Sequence, residues 1–395
     1  MKILFICQYY KPEPFRHPDF CEELVRLGHD VTVVAGTPNY PMGEIYDGFR
    51  RGKRRDEIIN GVKVHRCFTF GRKKGTFHRF LNYYSYAFSS ARYVDKMKEE
   101  YDVVFVNQLS PVMMANAGIK YKKKHHTKLV LYCLDLWPES LCTGGIRKES
   151  FVYKHFHKVS EKIYRQADKI LISSKSFADY FEKEFGIRNA VYLPQYAETV
   201  FTPEQCRKEP NEYLDLMFAG NLGKAQSVVT IIEAARLTQN IPNLRWHIVG
   251  DGSEFENLKK QAAGLNNIIF YGRKPLDEMP KYYSMADAML VTMQRDPIVS
   301  LTLPGKVQTY MAAGKPIIGA IDGETATIIE ESACGFCGPA EDVNVLIKNV
   351  LLFFNLNNME NIFGRRAREY YEQFYNRRTF VNSFEEELQE CVDMR

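Results

Sequence analysis

The chain lacks the features that mark several common classes of protein. No apolar run reaches the roughly 18 residues that a membrane-spanning helix needs. The opening stretch, MKILFICQYY, is too short for a signal peptide. The sequence also contains no Walker A loop, no HExxH and no GxSxG motif. Heptads, short repeats and low-complexity segments are missing as well. We therefore expect a soluble, cytoplasmic protein.

Cysteine and histidine are too scattered to predict a metal site. Nine cysteines are present, but only Cys334 and Cys337 form a CxxC pair. A zinc site needs a second pair or a histidine cluster beside it, and none accompanies this one. The remaining thiols are typical of a protein from a reducing compartment.

Length and charge indicate two domains with different partners. The chain has 395 residues, which is too long for one ordinary core. Residues 1–200 contain 33 Lys plus Arg against 22 Asp plus Glu, whereas the remainder contains 20 against 26. The basic excess is concentrated at residues 50–55, at Arg72-Lys73-Lys74 and at residues 122–126. An anionic membrane surface and nucleic acid are both candidate partners, and solvated surface charge is the plainer alternative.

Alternating strand and helix patterns run through both halves. The first half predicts strands at 2–7, 30–35, 62–68, 103–106, 129–134 and 169–173, with helices near 19–27, 77–98 and 151–166. The second half predicts strands at 214–219, 244–249, 267–271, 288–291 and 316–320, with helices at 228–238, 255–262 and 279–285 and a long tail at 362–390. This order predicts an α/β fold with two parallel, Rossmann-like sheets. We expect domains at 1–198 and 199–375, joined by a proline-containing linker, with a helix at 376–395 that packs back on the first domain.

Two strand–helix turns of the second half combine glycine with lysine. Pro304-Gly305-Lys306 opens a short helix that Gly314 ends, and Gly220-Asn221-Leu222-Gly223-Lys224 follows a strand. Helix N-termini and glycine-rich turns offer unpaired N–H groups to phosphates, and a lysine adds a full charge. An ordinary helix start that carries a lysine is the alternative. A third segment, Gly250-Asp251-Gly252-Ser253, begins like a dinucleotide fingerprint, but Phe255 stands at the third glycine position and disfavours a hydride-transfer cofactor.

Taken together and in order, these segments resemble the family 4 retaining glycosyltransferases. The resemblance spans nearly the whole chain. Within the family, the sequence resembles enzymes that build O-antigen, capsule and exopolysaccharide units, including those for N-acetylfucosamine-type sugars. It is carried by residues 8–13 (QYYKPE), 37–41 (TPNYP), 135–140 (DLWPES), 220–226 (GNLGKAQ), 249–252 (VGDG) and 303–318. The resemblance implies the GT-B fold, in which two Rossmann-like domains face each other across a cleft.

The resemblance also implies where substrates bind. The C-terminal domain would hold a nucleotide-sugar, expected to be a UDP-sugar, and the N-terminal domain would hold an acceptor built on a polyprenyl diphosphate. No metal and no further cofactor are implied. The donor-binding residues implied in this way are Gly220, Asn221, Gly223, Lys224, Arg273, Pro304, Gly305, Lys306 and Thr309.

Three departures from the family pattern affect the site. Relatives usually carry two glutamates seven residues apart; here the second falls on Thr309 and the first near Leu301, so the usual carboxylate grip on the donor is not expected. The glycine pair usual after the first strand is replaced by a loop with Arg16 and His17, either of which could contact a phosphate. A histidine usual before the catalytic loop is replaced by Cys133-Leu134-Asp135.

Asp135 and Glu139 are therefore the candidate acid–base or orienting groups for the acceptor hydroxyl. In retaining transfer of this type the donor's own phosphate serves as the base, which leaves Asp135 to orient the acceptor. The alternative for Asp135 is a helix cap at the start of Trp137-Pro138.

A lipid-linked acceptor would place the basic N-terminal half on the inner membrane face. Aromatic residues near Arg72 would contact that surface, although core packing is the alternative for them; they are Phe77, Phe80, Tyr83, Tyr84, Tyr86 and Phe88. On this interpretation the protein binds no nucleic acid. Two rival functions stay open at this point: a sugar-nucleotide epimerase of the same fold, and a non-catalytic nucleotide-sugar binding protein.

Overall fold

The computed structural model describes residues 1–73, 75–142, 145–356 and 359–394. Lys74, which the sequence places in a basic cluster, and Arg395, in the predicted C-terminal helix, lie outside the described residues. The chain divides into two compact units. Unit 1 comprises residues 1–173, 177–193 and 381–395, and unit 2 comprises residues 174–176 and 194–380.

Unit 1 alternates strands and helices along most of its length. Its strands are β1 (Lys2–Ile6), β2 (Asp30–Gly36), β3 (Asp56–Ile59), β4 (Val62–Cys67), β5 (Val103–Gln108), β6 (Lys128–Cys133), β7 (Lys169–Ile172) and β8 (Ala190–Tyr192). Its helices are α1 (His17–Arg26), α2 (Thr76–Val94), α3 (Asn116–His125), α4 (Phe151–Tyr164) and α5 (Phe177–Phe185). The strands form one sheet in the order β3-β4-β2-β1-β5-β6-β7-β8, parallel except for the antiparallel β3–β4 pair. The central strands β1 and β5 are buried almost throughout because helices cover parallel sheets on both faces.

Unit 2 repeats this plan with a smaller sheet. Its strands are β9 (Leu214–Ala219), β10 (Leu244–Val249), β11 (Ile268–Gly272), β12 (Ala288–Thr292), β13 (Ile317–Ala320) and β14 (Gly335–Gly338). Its helices are α6 (Val229–Leu237), α7 (Phe255–Gln261), α8 (Met279–Tyr283), α9 (Gly305–Ala312), α10 (Glu324–Ser332), α11 (Val343–Asn355) and α12 (Met359–Phe374). The strands pair in parallel in the order β11-β10-β9-β12-β13-β14. The order reverses beside β9, and ligands of open α/β sheets bind outside the carboxyl ends of strands at such a reversal.

Both sheets confirm the predicted α/β class, but several helices and strands were not predicted from the sequence or were given different bounds. The predicted single tail at 362–390 is wrong, because α12 ends at Phe374 and α13 (Arg377–Asp393) begins after a break. Asn376 causes the second start: its Oδ1 accepts from the Thr379 amide at 2.9 Å, as a helix-capping asparagine does. The helices α3, α5, α10 and α11 and the strands β3, β8 and β14 were not predicted. Among the described residues, no helix combines the length and the apolar character that crossing a membrane requires.

The predicted linker after residue 194 contains no helix or strand, yet it is packed. Phe201 and Cys206 are buried in the core of unit 2, where Phe201 stacks on Tyr283 with ring centroids 4.8 Å apart. Its prolines therefore shape an ordered segment.

Candidate functional site

The two glycine–lysine turns of unit 2 come together at the carboxyl end of β9. Gly220 follows β9 with φ of 145°, and a Cβ at this position would lie 3.0 Å from Lys306 Nζ. Lys306 stands in the first turn of α9. A larger side chain here would crowd the lysine where it crosses the end of the strand, and the positive φ also favours glycine. The turns at 220–224 and 304–306 thus form one site.

Lys306 carries a buried charge that no described residue compensates. Its Nζ is shielded from solvent, has no hydrogen-bond partner among the described residues, and lies 3.6 Å from the centre of the Phe218 ring. Burial lowers the pKa of Lys306 to about 7. A buried ammonium is costly unless it is paired, and the ring face offsets only part of that cost. An anion that reaches Nζ supplies the missing partner, so the site favours anion binding.

The neighbouring glycines of the Gly250-Asp251-Gly252 segment serve backbone packing. A Cβ on Gly250 would lie 1.8 Å from the carbonyl oxygen of Gly220, and one on Gly252 would lie 2.5 Å from that of Leu222. The Leu222 amide donates to the Asp251 carbonyl at 3.0 Å. The partial dinucleotide fingerprint is therefore explained by two loops that touch through their backbones.

Gln226 holds the first loop in shape. Its Oε1 accepts from the Gly223 amide at 3.1 Å and from Asn221 Nδ2 at 3.0 Å. The Gly223 amide is thereby occupied, whereas the neighbouring Lys224 side chain is exposed. Of the two lysines, Lys306 is fixed inside the site and Lys224 extends from its rim. Gln226 was quoted within the sequence motif, but its role in ordering this loop was missed.

Helix α9 is fixed to the strand end by a tyrosine that the sequence did not single out. The Tyr310 hydroxyl donates to the carbonyl of Ala219 and accepts from its amide, both at 3.0 Å. This pair of bonds sets the height of the helix start above β9. Together with the buried residues of α9, these bonds position Lys306 and the Pro304-Gly305 turn.

Thr309 faces the interior of unit 2. Its hydroxyl donates to the Lys306 carbonyl at 2.8 Å and lies 3.3 Å from the Tyr283 hydroxyl. The side chain is buried. The position where the family resemblance leads us to expect a carboxylate is thus filled by a short hydroxyl whose bonds are made inside the protein.

Pro304 and Gly305 start α9 as the sequence predicts, and Gly314 follows its end with a positive φ of 64°. Arg273, by contrast, is exposed after β11, with its Nε 3.9 Å from the Asp251 carboxylate. No contact among the described residues joins Arg273 to Lys306. The predicted donor residues therefore divide into a tight group around Gly220 and Lys306 and an outlying arginine.

In unit 1, Asp135 lies at the carboxyl end of β6. Its Oδ2 accepts from the Ser110 amide at 3.1 Å, and its carbonyl accepts from Gln108 Nε2 at 3.0 Å. Burial raises the pKa of this carboxyl, while the bond to Ser110 and the charge of Arg72 oppose the rise. The second carboxylate oxygen keeps capacity for a hydroxyl, which is what an orienting role needs.

Arg72 is a candidate that the sequence placed in a surface cluster. Its guanidinium lies 5.4 Å from the centre of the Tyr83 ring and 6.0 Å from that of Tyr40. It also reaches the Tyr9 hydroxyl at 3.5 Å. Stacking on rings fixes a guanidinium without neutralising it. Arg72 is therefore a positioned cation that acts on Asp135.

Glu139 lies inside unit 1. It is fully buried, accepts from the hydroxyls of Tyr153 at 2.7 Å and Tyr180 at 3.2 Å, and pairs with Lys148 at 2.9 Å. Its Oε1 accepts from both tyrosine hydroxyls, whereas Oε2 lies next to the Lys148 charge and has no hydrogen-bond partner among the described residues. Such surroundings are typical of a structural carboxylate, and the acid–base role expected from its place in the motif stays a prediction.

His17 is likewise buried. Its Nε2 donates to the Tyr9 carbonyl at 2.5 Å, and its Nδ1 accepts from Asn107 at 3.3 Å. Burial lowers the pKa of His17 to about 4, so the ring is neutral at pH 7. A neutral ring with both nitrogens occupied offers no charge to a phosphate. Arg16, at the start of α1, is half-buried.

Glu13 orders the first loop of unit 1 and was missed as a functional residue. Its carboxylate accepts from the amides of Asn39 at 2.8 Å, Tyr40 at 2.7 Å and Tyr10 at 3.1 Å. Burial nevertheless raises the pKa of Glu13 to about 7. The bonds join the loop after β1 to the loop after β2. The sequence signal was present, since Glu13 ends the QYYKPE segment.

No three His, Cys, Asp or Glu side chains within the described ranges form a group that could hold a metal ion. Metal independence stays a prediction.

Comparison with known proteins gives one family match to each part of the chain. Residues 19–193 match the model for Glycosyltransferase Family 4, and residues 204–370 match the model for Glycosyl transferases group 1. The first match lies in the sequence of unit 1 with the short 174–176 segment, and the second lies in unit 2.

Relatives and solved structures agree with these matches. A Pseudomonas aeruginosa protein named as the glycosyltransferase WbjE is 27% identical over 54% of this chain and 57% of its own length. The Escherichia coli protein named as the colanic acid biosynthesis glycosyl transferase WcaI is 24% identical over 97% of this chain and 98% of its own. The structure of Anabaena HepE in complex with UDP and glucose superposes with a TM-score of 0.71 at 16% identity, over 98% of this chain and 99% of that one. That likeness shows the fold, and it confirms the predicted GT-B class. The chain belongs to the glycosyltransferases that these two family models describe.

Proposed function

We propose that the protein is a retaining, metal-independent glycosyltransferase that moves a hexosyl or N-acetylhexosaminyl group from a UDP-sugar to a lipid-linked oligosaccharide in surface polysaccharide biosynthesis. The single observation that carries the donor half is Lys306, a buried cation beside Gly220 for which the described residues provide no hydrogen-bond partner. A sugar diphosphate supplies the missing anion. The HepE structure is titled as a complex with UDP and glucose, which supports a uridine diphosphate donor.

The chemistry assigned to unit 2 is stabilisation of the leaving diphosphate. Negative charge develops on the phosphate as the glycosidic bond breaks, and a fixed cation in a dry site stabilises that charge more than the ground state. Lys306 and the N-terminus of α9 provide this field. Lys224, at the rim, contributes a solvated charge that matters less.

The chemistry assigned to unit 1 is orientation of the acceptor. Asp135 accepts a hydrogen bond from the attacking hydroxyl; burial raises the pKa of its carboxyl, and the charge of Arg72 opposes that rise. The donor phosphate removes the proton. The polysaccharide context is supported by the name of the colanic acid relative, and it implies a cytoplasmic enzyme that rests on the inner membrane face.

The test is release of UDP from a panel of UDP-sugars, with and without a lipid-linked saccharide acceptor. We expect acceptor-dependent release with one of them, and retention of anomeric configuration in the product. Asp135→Asn should lower kcat by about 10²-fold, because the acceptor hydroxyl loses the carboxylate that orients it for attack. Glu139→Gln is the matched variant, and it should leave kcat close to the parent value.

Absence of turnover with every sugar, despite UDP binding, would support the non-catalytic alternative. Interconversion of free UDP-sugars without an acceptor would support the epimerase alternative. Equal kcat losses in both variants would remove Asp135 from its role.

A further inference from the structure

A basic pocket opens beside the carboxyl ends of β2 and β4 in unit 1. It has a volume of about 590 Å³, within the roughly 300–1,000 Å³ range of small-molecule sites. Cations from two separate segments line it: Arg50, Arg51 and Arg55 from the loop before β3, and Lys73 from the segment before α2. One carboxylate, Glu44, shares the lining. The site is separate from the Asp135 group described above.

Three of these four cations have no carboxylate partner. Arg50 lies 3.5 Å from Asp47 and 3.9 Å from Glu44, so its charge is partly balanced. For Arg51, Arg55 and Lys73, no ion pair exists among the described residues. Clustered cations without counter-charges attract anions, and guanidinium groups match phosphate geometry especially well.

Other charges of the same basic cluster are used to build the wall. Arg54 and Arg66 both pair with Glu57. Their guanidiniums lie 4.7 and 4.8 Å from the centre of the Phe49 ring, which is buried between them. This separates the cluster into structural arginines and arginines that remain available to a ligand.

Backbone contacts and side-chain hydrogen bonds fix the segments that line the pocket. Gly43 and Gly71 touch so closely that a Cβ on either would lie 2.7 or 2.6 Å from backbone of the other segment. Asn82 Nδ2 donates to the Phe70 carbonyl at 2.5 Å and to Asn39 Oδ1 at 3.2 Å. These contacts fix the segment that presents Lys73. A preformed site binds its ligand without the cost of ordering it.

An exposed aromatic surface adjoins the pocket through the same segment. Phe68 lines the pocket, and Phe70, two residues on, packs against it with centroids 4.9 Å apart. Ser89 and Ser85 of α2 bond to the backbone of these two residues. The helix exposes large rings, namely Phe77 at 70%, Phe80 at 48% and Phe88 at 71%. Of the α2 aromatics for which membrane contact was predicted, these three are exposed and Tyr86 is core. The membrane contact itself stays a prediction. Rings beside cations are typical of a protein face that enters the headgroup region.

We propose that this pocket binds the diphosphate of the polyprenyl-diphosphate acceptor, with the exposed rings of Phe68, Phe77 and Phe88 against the lipid. The identity of the ligand rests on the proposed function, whereas the anion-binding pocket itself does not. The three cations can balance the two negative charges of a diphosphate that is esterified at both ends, as in a polyprenyl diphosphate that carries a saccharide. This assigns acceptor recognition to the lipid carrier's headgroup, at a place distinct from the sugar that is extended.

The test compares two triple variants of equal charge change. Arg51→Gln/Arg55→Gln/Lys73→Gln removes the unpaired cations of the pocket. Lys96→Gln/Lys98→Gln/Lys123→Gln removes three exposed lysines elsewhere in unit 1. Both are made in the Lys306→Met background, so that the buried lysine of unit 2 does not contribute. Calorimetry measures binding of inorganic pyrophosphate and of farnesyl diphosphate. Vesicles of neutral lipid containing farnesyl diphosphate, and vesicles containing phosphatidylglycerol instead, separate the headgroup from general surface charge.

We expect the pocket variant to lose at least tenfold in affinity for farnesyl diphosphate and its vesicles, and the control to change less than twofold. Binding to phosphatidylglycerol vesicles should be weakened to a similar extent in the pocket variant and in the control variant. Equal losses in both variants on every probe, or no loss in the pocket variant, would overturn the proposal.

Failure of the proposed function gives a different pattern. If no UDP-sugar is turned over but the pocket variant alone loses farnesyl diphosphate, the pocket stands and the transferase assignment falls. If sugar is transferred to a lipid-linked acceptor and both variants bind farnesyl diphosphate equally, only the pocket proposal falls.

Discussion

Unit 1 and unit 2 hold buried cations in opposite ways. In unit 1, Arg66 is buried with the Glu57 carboxylate and the Phe49 ring as partners. In unit 2, the Nζ of Lys306 is buried with a ring but without an acceptor among the described residues. A paired buried charge is part of the architecture, and removing one member leaves the other unpaired. An unpaired one is kept at a cost to stability, which a bound anion offsets. The contrast teaches that burial alone does not separate structural cations from functional ones, whereas the missing partner does.

The largest expected effect tests whether the Lys306 site is built on backbone contact. Gly250→Ala places a Cβ 1.8 Å from the Gly220 carbonyl at a φ of 141°. We expect a loss of about 3–5 kcal/mol of unfolding free energy, from overpacking together with backbone strain. Gly264→Ala is the matched control, because its φ is also positive at 84° but no atom lies within 4 Å of the new Cβ. Denaturant unfolding should show a loss of about 1 kcal/mol for the control. Similar losses for both would mean that strain, and not loop contact, makes Gly250 necessary.

The next effect concerns turnover. Lys306→Met should lower kcat/KM for the donor by a factor equivalent to about 2–4 kcal/mol of transition-state stabilisation, because it removes a cation that faces the leaving diphosphate. Lys224→Met should cost under about 1 kcal/mol, since an exposed charge is solvated and screened. Steady-state UDP release measures both. Lys260→Met, an exposed lysine of α7, serves as a control for general charge loss. Equal penalties at Lys224 and Lys306 would contradict the difference in burial on which the comparison depends.

In the absence of ligand, substitution of the two buried lysines of unit 2, Lys306 and Lys315, should change the free energy of unfolding in opposite directions. Lys306→Met should raise the unfolding free energy by about 1–3 kcal/mol, because it removes an unpaired buried charge. Lys315, also buried in unit 2, donates to the Ala286 carbonyl at 2.7 Å. Lys315→Met should therefore lower stability by about 1–2 kcal/mol by leaving that carbonyl unsatisfied. Thermal and denaturant unfolding in the absence of nucleotide measure both. A destabilised Lys306→Met protein would show that the ammonium has a partner that its surroundings do not reveal.

The smallest effect concerns the departure at Thr309. Thr309→Val keeps the shape and removes the hydroxyl that bonds to the Lys306 carbonyl and Tyr283. We expect a stability loss of about 0.5–1.5 kcal/mol, as for one buried hydrogen bond, and an unchanged Kd for UDP. Calorimetric titration with UDP checks the second part. A tenfold weaker Kd would restore Thr309 as a donor contact.

The sequence predicted the parts of unit 2 that depend on backbone and failed where side chains choose partners. Strand–glycine–lysine order is visible in one dimension, so the turns at Gly220 and Lys306 were found. Their convergence followed from parallel strands having one common carboxyl edge. The Tyr310 bonds to Ala219 depend on tertiary packing, and no local pattern marks them. Likewise, Asn376 divides a continuous helical pattern through a single capping bond.

In unit 1, too, the roles of polar residues depend on side-chain partners that the sequence does not reveal. Asp135, Glu139 and His17 look alike as polar residues in strand-end loops. Only tertiary structure shows that Glu139 is buried beside Tyr153, Tyr180 and Lys148, and that His17 is neutral. Basic clusters gave the correct sign of charge, but they could not show which arginines are paired.

In the free protein, Lys306 is a buried and only partly protonated lysine, and the donor diphosphate pairs with its protonated form. Since burial lowers its pKa to about 7, the lysine is protonated in the free enzyme below pH 7 and mostly neutral above it. A bound diphosphate favours the charged form, so UDP binding above pH 7 must take up a proton. The direct measurement is the Kd of UDP from pH 6 to 9, by calorimetry in two buffers of different ionisation enthalpy, for the parent protein and for Lys306→Arg. The account predicts a constant affinity below pH 7, a weakening that approaches tenfold per pH unit above it with proton uptake, and no such slope for Lys306→Arg, whose guanidinium stays charged. A flat profile without proton uptake in the parent protein, or the same slope in both, would contradict it.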